Sequence, residues 1–363
     1  MGNSKKIKIG IIGTGSIANE HINAYLQNEY CELYAFCDIN EPRLNAMGEK
    51  YGVKRLYIDM NEMVKIKEID AVSICTWNSA HAPCTIAALN AGKHVLCEKP
   101  MAINTTEAMA MKQAAEKNNK LLMIGFVRRF GNDIKLLKDF LTNDFFGELY
   151  YAKVSILRRH GNPGGWFGEK SRSGGGALID LGVHVIDFAR YLVGNPKPVS
   201  VYGVTFQKLY NRKNIKQEVG YSSVSKNEND ICDVEDMVTA LIRFDNGFAL
   251  SVETSFSLNI KKDVGKIEFF GTKSGAKLNP ELEIYSEING YMADINLTGE
   301  TALDFKQIFK NEINHFISCI VNGSECMSPA VDGVEIMEII DAIYESASTE
   351  HEIKLYKELR NDF

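Results

Sequence analysis

The residues best suited to acid–base chemistry are one lysine and three polar groups in a helical pattern. A strand-like apolar run ends at Lys99, directly before a proline. The almost wholly apolar pattern at 174–194 contains Asp180, His184 and Asp187, at spacings of four and three residues. Residues so spaced lie on one face of a helix. Charged groups in an apolar helix are costly unless they are paired or used, so these residues are candidates for a catalytic site.

The chemistry differs from residue to residue. Free imidazole, with a pKa of about 6.5, exchanges protons near neutrality, so we assign proton transfer to His184. Asp180 could orient that imidazole or bind a substrate hydroxyl. An ammonium is too basic for such exchange but stabilises a developing alkoxide, so Lys99 receives an electrostatic and relay role. The alternative is a core helix in which Asp180 and His184 satisfy each other. Asp187 suits structural pairing as well as substrate contact.

A dinucleotide-binding fingerprint occupies the N-terminal region. A β-branched run at 7–12 is typical of a buried parallel strand, and a helical pattern follows at 17–26. Between them, one glycine permits a tight turn, a second lets the backbone approach a pyrophosphate, and an alanine keeps the helix close to the sheet. The predicted cofactor-binding residues of this turn are Gly13, Thr14, Gly15, Ser16, Ile17 and Ala18.

Asp38 is the candidate ribose-binding acid. It ends the second predicted strand, at 33–37, where a carboxylate accepts hydrogen bonds from the adenosine ribose hydroxyls. A carboxylate there also repels a 2′-phosphate, and Ile39 and Asn40 offer no compensating cation. The sequence therefore predicts NAD as cofactor rather than NADP, although Arg43 leaves NADP open as an alternative.

Alternating strand and helix patterns predict a doubly wound parallel sheet in residues 1–127. Predicted helices lie at 43–51, 60–66, 83–91 and 105–118, and predicted strands at 56–57, 71–75, 94–97 and 121–125. Ligands bind at the loops that follow the carboxyl ends of such strands. The residues in these loops are Thr76, Trp77, Asn78, His81, Glu98 and Lys99.

From residue 128 the pattern predicts a second domain, built on an open, mainly antiparallel sheet with the 180–192 helix on one face. Alternating runs lie at 150–157, 199–206, 237–244, 248–256, 266–270 and 282–285. Asp-Asn-Gly at 245–247 is a strong hairpin signal. Helices are predicted at 304–322 and 331–349, and the polar stretch 208–230 is predicted to be a long surface loop.

Cationic and aromatic side chains between the two patterns are candidate substrate-binding groups. Arg158 and Trp166 flank a glycine-rich loop, and Arg129 follows a predicted strand. Guanidinium and aromatic groups suit a polyhydroxylated or anionic substrate. Solvated charge pairs and hydrophobic plugs explain them equally well.

Composition limits the function classes. The 363 residues are 45% hydrophobic and 24% charged, as in an ordinary globular protein of two domains. The net charge of −6 argues against a nucleic-acid surface, and the sequence predicts no membrane-spanning segment. The eight cysteines form no CxxC pair and suggest buried free thiols in a reducing cytosol, with no metal site.

The motifs together resemble those of the Gfo/Idh/MocA family (glucose-fructose oxidoreductase, inositol dehydrogenase, rhizopine catabolism). The similarity comprises the glycine turn, Asp38, the run AGKHVLCEKP ending at Pro100 and the run GGALIDLGVH ending at His184, and it extends over nearly the whole chain. It implies a Rossmann domain, an open antiparallel sheet domain, a nicotinamide cofactor and a sugar or polyol substrate. It also implies that C-terminal helices pack on the nucleotide domain and that the chain forms a homo-oligomer.

The resemblance also implies residue roles. The residue at Lys99 would contact the substrate and the nicotinamide ribose, and the residue at His184 would be the acid–base group. Asn78 and His81 would lie near the nicotinamide ribose, although His81 could equally cap a helix. Trp77 stands where the family usually has proline, and it could pack on the cofactor or fill space.

The predicted function is an NAD(P)-dependent dehydrogenase or reductase acting on a secondary alcohol of a sugar, inositol or related polyol. One alternative is a glycoside hydrolase that uses transient oxidation and elimination. Another is a non-catalytic nucleotide-binding sensor, although the retention of Lys99, Asp180 and His184 argues against it.

Overall fold

The computed structural model describes residues 6–209, 212, 221–278, 282–298, 301 and 303–355. They belong to two compact units. Unit 1 comprises Met1–Phe130 and Asp304–Val334, and unit 2 comprises Gly131–Leu303 and Glu335–Phe363. The first break thus lies three residues after the predicted domain end at 127, and one C-terminal segment belongs to unit 1.

The secondary structure alternates strands and helices in the first third of the chain and is strand-rich in the middle. The strands are β1 (Ile7–Ile12), β2 (Cys31–Cys37), β3 (Leu56–Tyr57), β4 (Ala71–Ile74), β5 (His94–Glu98), β6 (Leu122–Gly125), β7 (Leu149–Leu157), β8 (Pro198–Phe206), β9 (Met237–Phe244), β10 (Ala249–Ser255), β11 (Val264–Gly271), β12 (Ser274–Leu278), β13 (Glu283–Ile288), β14 (Tyr291–Ile295) and β15 (Ile353–Lys354). The α-helices are α1 (Ser16–Leu26), α2 (Glu41–Tyr51), α3 (Met60–Val64), α4 (His81–Asn90), α5 (Thr105–Lys117), α6 (Asn132–Thr142), α7 (Lys170–Ser173), α8 (Val183–Leu192), α9 (Phe305–Asn322) and α10 (Ala330–Thr349).

Unit 1 contains the predicted parallel sheet. Its strand order is β3-β2-β1-β4-β5-β6, and all the pairs are parallel. Because helices cover such a sheet on both faces, its strands are mostly apolar, and β4 is buried at every position. Helix α9 packs on α1, where Phe316 and Ile317 join Ile22 and Tyr25 in one buried cluster. A C-terminal helix therefore completes the nucleotide-binding unit, as the resemblance implied.

Unit 2 contains a nine-stranded sheet of order β14-β13-β12-β11-β7-β10-β9-β8-β15. Only the central β7–β10 pair among these strands is parallel. The predicted hairpin joins β9 and β10, with Gly247 at φ +86°. Phe188 of α8 contacts Phe269, and Ile343 of α10 contacts Gly203, on the same buried face of the sheet. The predicted fold class, a Rossmann domain with an open sheet covered by helices on one face, is confirmed.

Several details differ from the sequence-based expectations. The predicted 180–192 helix begins as a π-helical turn, Leu178–Gly182, and becomes α-helical only from Val183. Helices α6 and α7 and strands β12, β14 and β15 were not predicted. Within the predicted loop at 208–230, the positions 210, 211 and 213–220 lie outside the described residues. Among the described helices, none has both the length and the apolar character needed to cross a membrane.

Candidate active site

Lys99 is the one polar side chain that the end of β5 presents outward. The neighbouring positions 95–98, 100 and 101 are buried, whereas Lys99 is half-buried. Its backbone N–H donates to Glu98 Oε2 at 3.1 Å. Lys99 is therefore the one partly accessible residue in the buried stretch 95–101.

Asp180 and His184 have the same relation to their helix. Every residue of 175–192 is buried except these two, which are half-buried. Their spacing of four residues places both on one face of the turn that joins the π-helical segment to α8. Asp187 is only 1% exposed, which favours the structural alternative for this residue. Asp180 and His184 are therefore the two partly accessible residues of an otherwise buried helical segment.

A buried glutamate that sequence reasoning missed holds the start of this helix. The Glu235 carboxylate accepts backbone N–H bonds from Gly176 (2.9 Å) and Leu178 (3.0 Å) and a hydroxyl bond from Tyr344 (3.0 Å). Burial raises the pKa of Glu235, against the opposing effect of these hydrogen bonds. A Cβ on Gly175 would lie 2.0 Å from the Tyr344 hydroxyl oxygen. The glycine run before the helix therefore lets the backbone approach these groups. This run was the one sequence signal that such buried partners exist.

The glycine turn of unit 1 has the geometry needed to hold a diphosphate. Gly13 has φ +88°, and a Cβ there would lie 2.5 Å from the Cys75 carbonyl oxygen. Around Gly15, by contrast, a Cβ would meet no described atom within 4 Å. Gly15, Ser16 and Ile17 are half-exposed at the start of α1, and Ala18 is buried against the sheet. The first turn of α1 thus offers backbone N–H groups beside open space, as anion binding at a helix N-terminus requires.

Thr14 contacts Asp38 within this turn. Its backbone N–H and hydroxyl donate to Asp38 Oδ2 at 2.7 and 2.8 Å, and Asn40 N–H donates to Oδ1 at 2.8 Å. Arg43 adds bonds of 2.8–3.1 Å to both oxygens. Burial alone would raise the pKa of Asp38, but the Arg43, Asn40 and Thr14 hydrogen bonds lower it. Asp38 is therefore an anchored anion at the end of β2.

His81 connects two of the ligand-facing loops. Its Nδ1 lies 2.7 Å from the Pro100 carbonyl oxygen and its Nε2 lies 3.2 Å from that of Thr76. Burial lowers the pKa of His81, so the neutral ring has one N–H, and the shorter contact places it on Nδ1. Ala80 precedes α4 and no side chain caps the described helix start, so the helix-cap alternative for His81 is wrong.

The other predicted cofactor residues lie on the same loop. Thr76 and Trp77 are half-exposed, and the Thr76 hydroxyl donates to the Trp77 carbonyl oxygen at 3.2 Å. Asn78 is 4% exposed and begins a 3₁₀ turn that runs into α4. The loop therefore combines exposed and buried candidates, with His81 anchoring it to the Lys99–Pro100 segment.

Arg129 occupies a different environment from the predicted one. It is 1% exposed, and its Nη1 donates to Asp332 Oδ2 and to the Met327 carbonyl oxygen, both at 2.6 Å. All three residues belong to unit 1. This burial favours a structural ion pair over substrate contact for Arg129.

In unit 2, Arg158 and Trp166 remain accessible. Both are half-buried; Arg158 Nη1 donates to the Gly161 carbonyl oxygen at 3.0 Å, and Trp166 stacks on Phe167 at 3.9 Å between ring centroids. The described part of the polar stretch binds this loop, since Ser223 N–H donates to the Pro163 carbonyl oxygen at 2.8 Å.

One group of potential metal ligands is formed only in three dimensions. Single atoms of His315, Cys319 and Cys326 lie within 4.8 Å of one another. However, His315 Nε2 accepts the Met327 N–H at 2.9 Å, and burial raises the pKa of Cys326 to about 12. With the imidazole lone pair engaged and the thiol protonated, we assign no metal to this cluster.

Comparison with known proteins agrees with this geometry. The model for "Oxidoreductase family, NAD-binding Rossmann fold" matches residues 7–126, and "Oxidoreductase family, C-terminal alpha/beta domain" matches 138–355. D-glucoside 3-dehydrogenase of Escherichia coli (strain K12) is 36% identical over 358 residues, which cover 97% of this chain and 98% of that protein. Myo-inositol 2-dehydrogenase of Thermotoga maritima is 33% identical over 188 residues, covering 52% of this chain and 55% of that protein.

Among solved structures, levoglucosan dehydrogenase in complex with NADH is 25% identical, with a TM-score of 0.84, and the match covers 97% of this chain and 100% of that chain. Both halves of the family architecture are therefore present, together with the glycine turn, Lys99, Asp180 and His184. The chain belongs to the Gfo/Idh/MocA family and is an oxidoreductase that transfers hydride between nicotinamide and a sugar or polyol.

Proposed function

We propose that the protein oxidises the 3-hydroxyl of a glucoside, with NAD as the hydride acceptor. The observation that carries this proposal is the isolation of three polar groups, Lys99, Asp180 and His184, as the half-exposed positions of otherwise buried segments. The choice of substrate is supported by the 36% identity, over nearly the whole of both chains, to D-glucoside 3-dehydrogenase.

In this proposal each group has one task. His184 takes the hydroxyl proton of the substrate, and Asp180 orients the imidazole or holds a neighbouring hydroxyl. The Lys99 ammonium stabilises the oxygen as negative charge develops on it. A bound nicotinamide would accept the hydride from the carbon that carries this hydroxyl. The products are a 3-keto glycoside, reduced cofactor and one proton.

The glycine turn and Asp38 support the choice of NAD. The backbone N–H groups of Gly15, Ser16 and Ile17 would hold the diphosphate, and the loop from Thr76 to His81, with Glu98, would line the nicotinamide side. The anchored anion of Asp38 accepts ribose hydroxyls and repels a 2′-phosphate. Arg43 contacts that anion, and this contact neutralises part of its charge.

Substrate contacts, assembly and location complete the proposal. Arg158 and the Trp166 ring would contact the sugar. The open sheet face carries the register pair Tyr202 and Leu241, which are 47% and 46% exposed, and a second copy of the chain would cover it. Eight free thiols are consistent with a reducing cytoplasm.

Deuterium labelling tests the reaction and its position together. Methyl glucoside labelled at carbon 3 should give deuterated reduced cofactor by mass spectrometry, and the same sugar labelled at carbon 2 should give unlabelled cofactor. Label transfer from carbon 2, or faster turnover of inositols, would replace the glucoside assignment. Aglycone release without net accumulation of reduced cofactor would identify the glycosidase alternative.

A further inference from the structure

Unit 1 contains a buried cluster of polar side chains, one of which is Glu98. Its members are His21 on α1, Ser73 on β4, Glu98 at the end of β5 and Glu312 on α9. His21, Ser73 and Glu312 are 0% exposed. Ionisable groups are costly in a packed interior, so the burial of His21, Glu98 and Glu312 beside one another calls for a functional explanation.

His21 and Glu98 form a buried ion pair. His21 Nε2 donates to Glu98 Oε1 at 2.8 Å, and His21 Nδ1 lies 3.3 Å from Ser73 Oγ. The Ser73 hydroxyl is in turn 2.8 Å from the Tyr25 hydroxyl. Burial lowers the pKa of His21, but its Cys75 and Glu98 neighbours outweigh this effect and raise it well above the usual value. Burial raises the pKa of Glu98, but the His21 hydrogen bond and the charges of His21, Lys99 and His81 together lower it below its usual value. The pair is therefore an imidazolium and a carboxylate.

Glu312 is the third ionisable group and is in the opposite charge state. Among the described residues, neither of its carboxyl oxygens has a hydrogen-bond partner, although both are buried. Burial, followed by the nearby Glu98 charge, raises the pKa of Glu312 well above its usual value. A protonated Glu312 leaves a single negative charge beside the imidazolium, so the cluster as a whole is neutral.

The same Glu98 carboxylate also binds the backbone of the catalytic lysine. Its Oε2 accepts the Lys99 N–H at 3.1 Å, while Oε1 is held by His21. We propose that His21 is a positioning residue, which fixes the Glu98 carboxylate and through it the direction in which Lys99 leaves the end of β5. This inference rests on the proposed role of Lys99 in hydride transfer.

Two substitutions separate the hydrogen bond from the packing. His21→Leu fills most of the space but removes the donor to Glu98, and His21→Gln keeps an amide N–H at a similar reach. His21→Leu should lower kcat by up to about 100-fold, because small displacements of a reacting group have effects of this size. The dissociation constant for NADH, measured by fluorescence, should change much less than kcat, because the proposed diphosphate and adenosine contacts lie elsewhere, and His21→Gln should recover most of the lost rate. His315→Gln is the matched control. It makes the same histidine-to-glutamine change elsewhere in unit 1, at a histidine that accepts a backbone N–H.

Hydrogen exchange gives a readout that does not depend on turnover. In the ligand-free protein the Lys99 amide should exchange faster in His21→Leu than in the wild type, and should be protected again in His21→Gln. An unchanged Lys99 amide with unchanged kcat would overturn the proposal. So would equal losses of kcat in both His21 variants, which indicate general destabilisation, or a change confined to NADH binding. If the wild type oxidises no glucoside, the proposed function fails while the exchange result still tests the positioning.

Glu312→Gln tests the charge assignment of the cluster. An amide is the neutral isostere of a protonated carboxyl group, so kcat and Lys99 amide protection should remain at wild-type values. A loss of both in this variant, with its folding transition intact, would show that a charged Glu312 is needed and would contradict the neutral cluster.

Discussion

The Tyr344 hydroxyl donates a 3.0 Å hydrogen bond to the same Glu235 carboxylate that binds two backbone N–H groups at the start of the helical segment carrying Asp180 and His184. Tyr344 lies on α10 and Glu235 lies between β8 and β9. Two remote parts of unit 2 therefore converge on Gly176 and Leu178. The direction of the helix that carries Asp180 and His184 depends on this contact.

Glu235→Gln should destabilise the protein by about 1–3 kcal/mol at neutral pH, because the amide nitrogen then faces a backbone N–H that has lost its acceptor. The direction of the pKa shift determines how the contribution of Glu235 to stability changes with pH. Since the folded-state pKa of Glu235 is raised, its contribution is fully present below the unfolded pKa, about 4.3, and is lost as pH rises through the folded value. The difference between wild type and variant in urea unfolding should therefore shrink from acidic to neutral pH. Tyr344→Phe removes one hydrogen-bond donor but leaves the Glu235 carboxyl group, so this variant should still lose stability as pH rises. A stability difference between wild type and Glu235→Gln that does not change with pH would contradict the raised pKa of Glu235.

Replacement of Gly13 should be more costly than replacement of Gly52, because only at Gly13 would a Cβ clash with neighbouring backbone. Gly13 and Gly52 both have positive φ, at +88° and +70°, but a Cβ at Gly13 meets the Cys75 backbone at 2.5 Å, whereas one at Gly52 meets no described atom within 4 Å. Gly52→Ala should cost only the backbone strain, about 1–2 kcal/mol. Gly13→Ala should cost more and should also weaken NADH binding, because β1 and β4 must separate. Equal unfolding midpoints for the two variants would show that the close approach is unimportant.

Local spacing was sufficient to select the candidate reacting groups and to predict the fold. The glycine turn, Lys99 at a strand end and the Asp180–His184 spacing are each encoded within a few neighbouring residues, and the alternating patterns predicted both sheets. The missed strand β14 had a signal too, because Asn289 and Gly290 form a positive-φ hairpin turn.

The long-range pairings that support the site could not be predicted in this way. His21 and Glu98 are 77 residues apart in sequence, and Glu235 and Tyr344 are 109 apart. A lone histidine in a helical pattern or a glutamate in a loop carries no sign of such a partner. The π-helical turn was hidden for another reason: one extra residue per turn changes the helix face without altering composition. The burial of Arg129 was also hidden, because sequence does not distinguish a buried guanidinium from an exposed one.

Asp38 should control the choice between the two nicotinamide dinucleotides. Asp38→Ala removes an anchored negative charge and releases Arg43 to meet a 2′-phosphate. The ratio of kcat/KM for NAD to that for NADP should fall about tenfold, which corresponds to about 1.4 kcal/mol. Arg43→Ala in the same background should remove the gain for NADP. A ratio that does not move in Asp38→Ala would assign cofactor choice to other residues.

Arg129 should contribute to stability rather than to substrate affinity. Because both members of the Arg129–Asp332 pair are buried, removal of one leaves an uncompensated charge, at a cost of about 3–5 kcal/mol. Arg129→Met should therefore lower the thermal unfolding midpoint strongly, while KM for the glucoside, measured well below that temperature, stays unchanged. A raised KM with normal thermal stability would restore the substrate-binding interpretation.

Lys99 and His184 should act on the same chemical step, and a double-mutant cycle measures this directly. Each is a half-buried polar group in an otherwise buried segment, Lys99 in unit 1 and His184 in unit 2. Loss of a general acid–base group typically costs about 100-fold or more in rate, so Lys99→Ala and His184→Ala should each reduce kcat on this scale while NADH binding persists. If both groups stabilise one transition state, the double variant loses much less than the product of the two single losses, since removing either already disables the step. Lys65→Ala, which removes an exposed lysine of unit 1, should leave kcat unchanged. Strictly multiplicative losses of kcat would mean that the two groups serve independent steps. The proposal that the ammonium and the imidazole act in the same step would then be wrong.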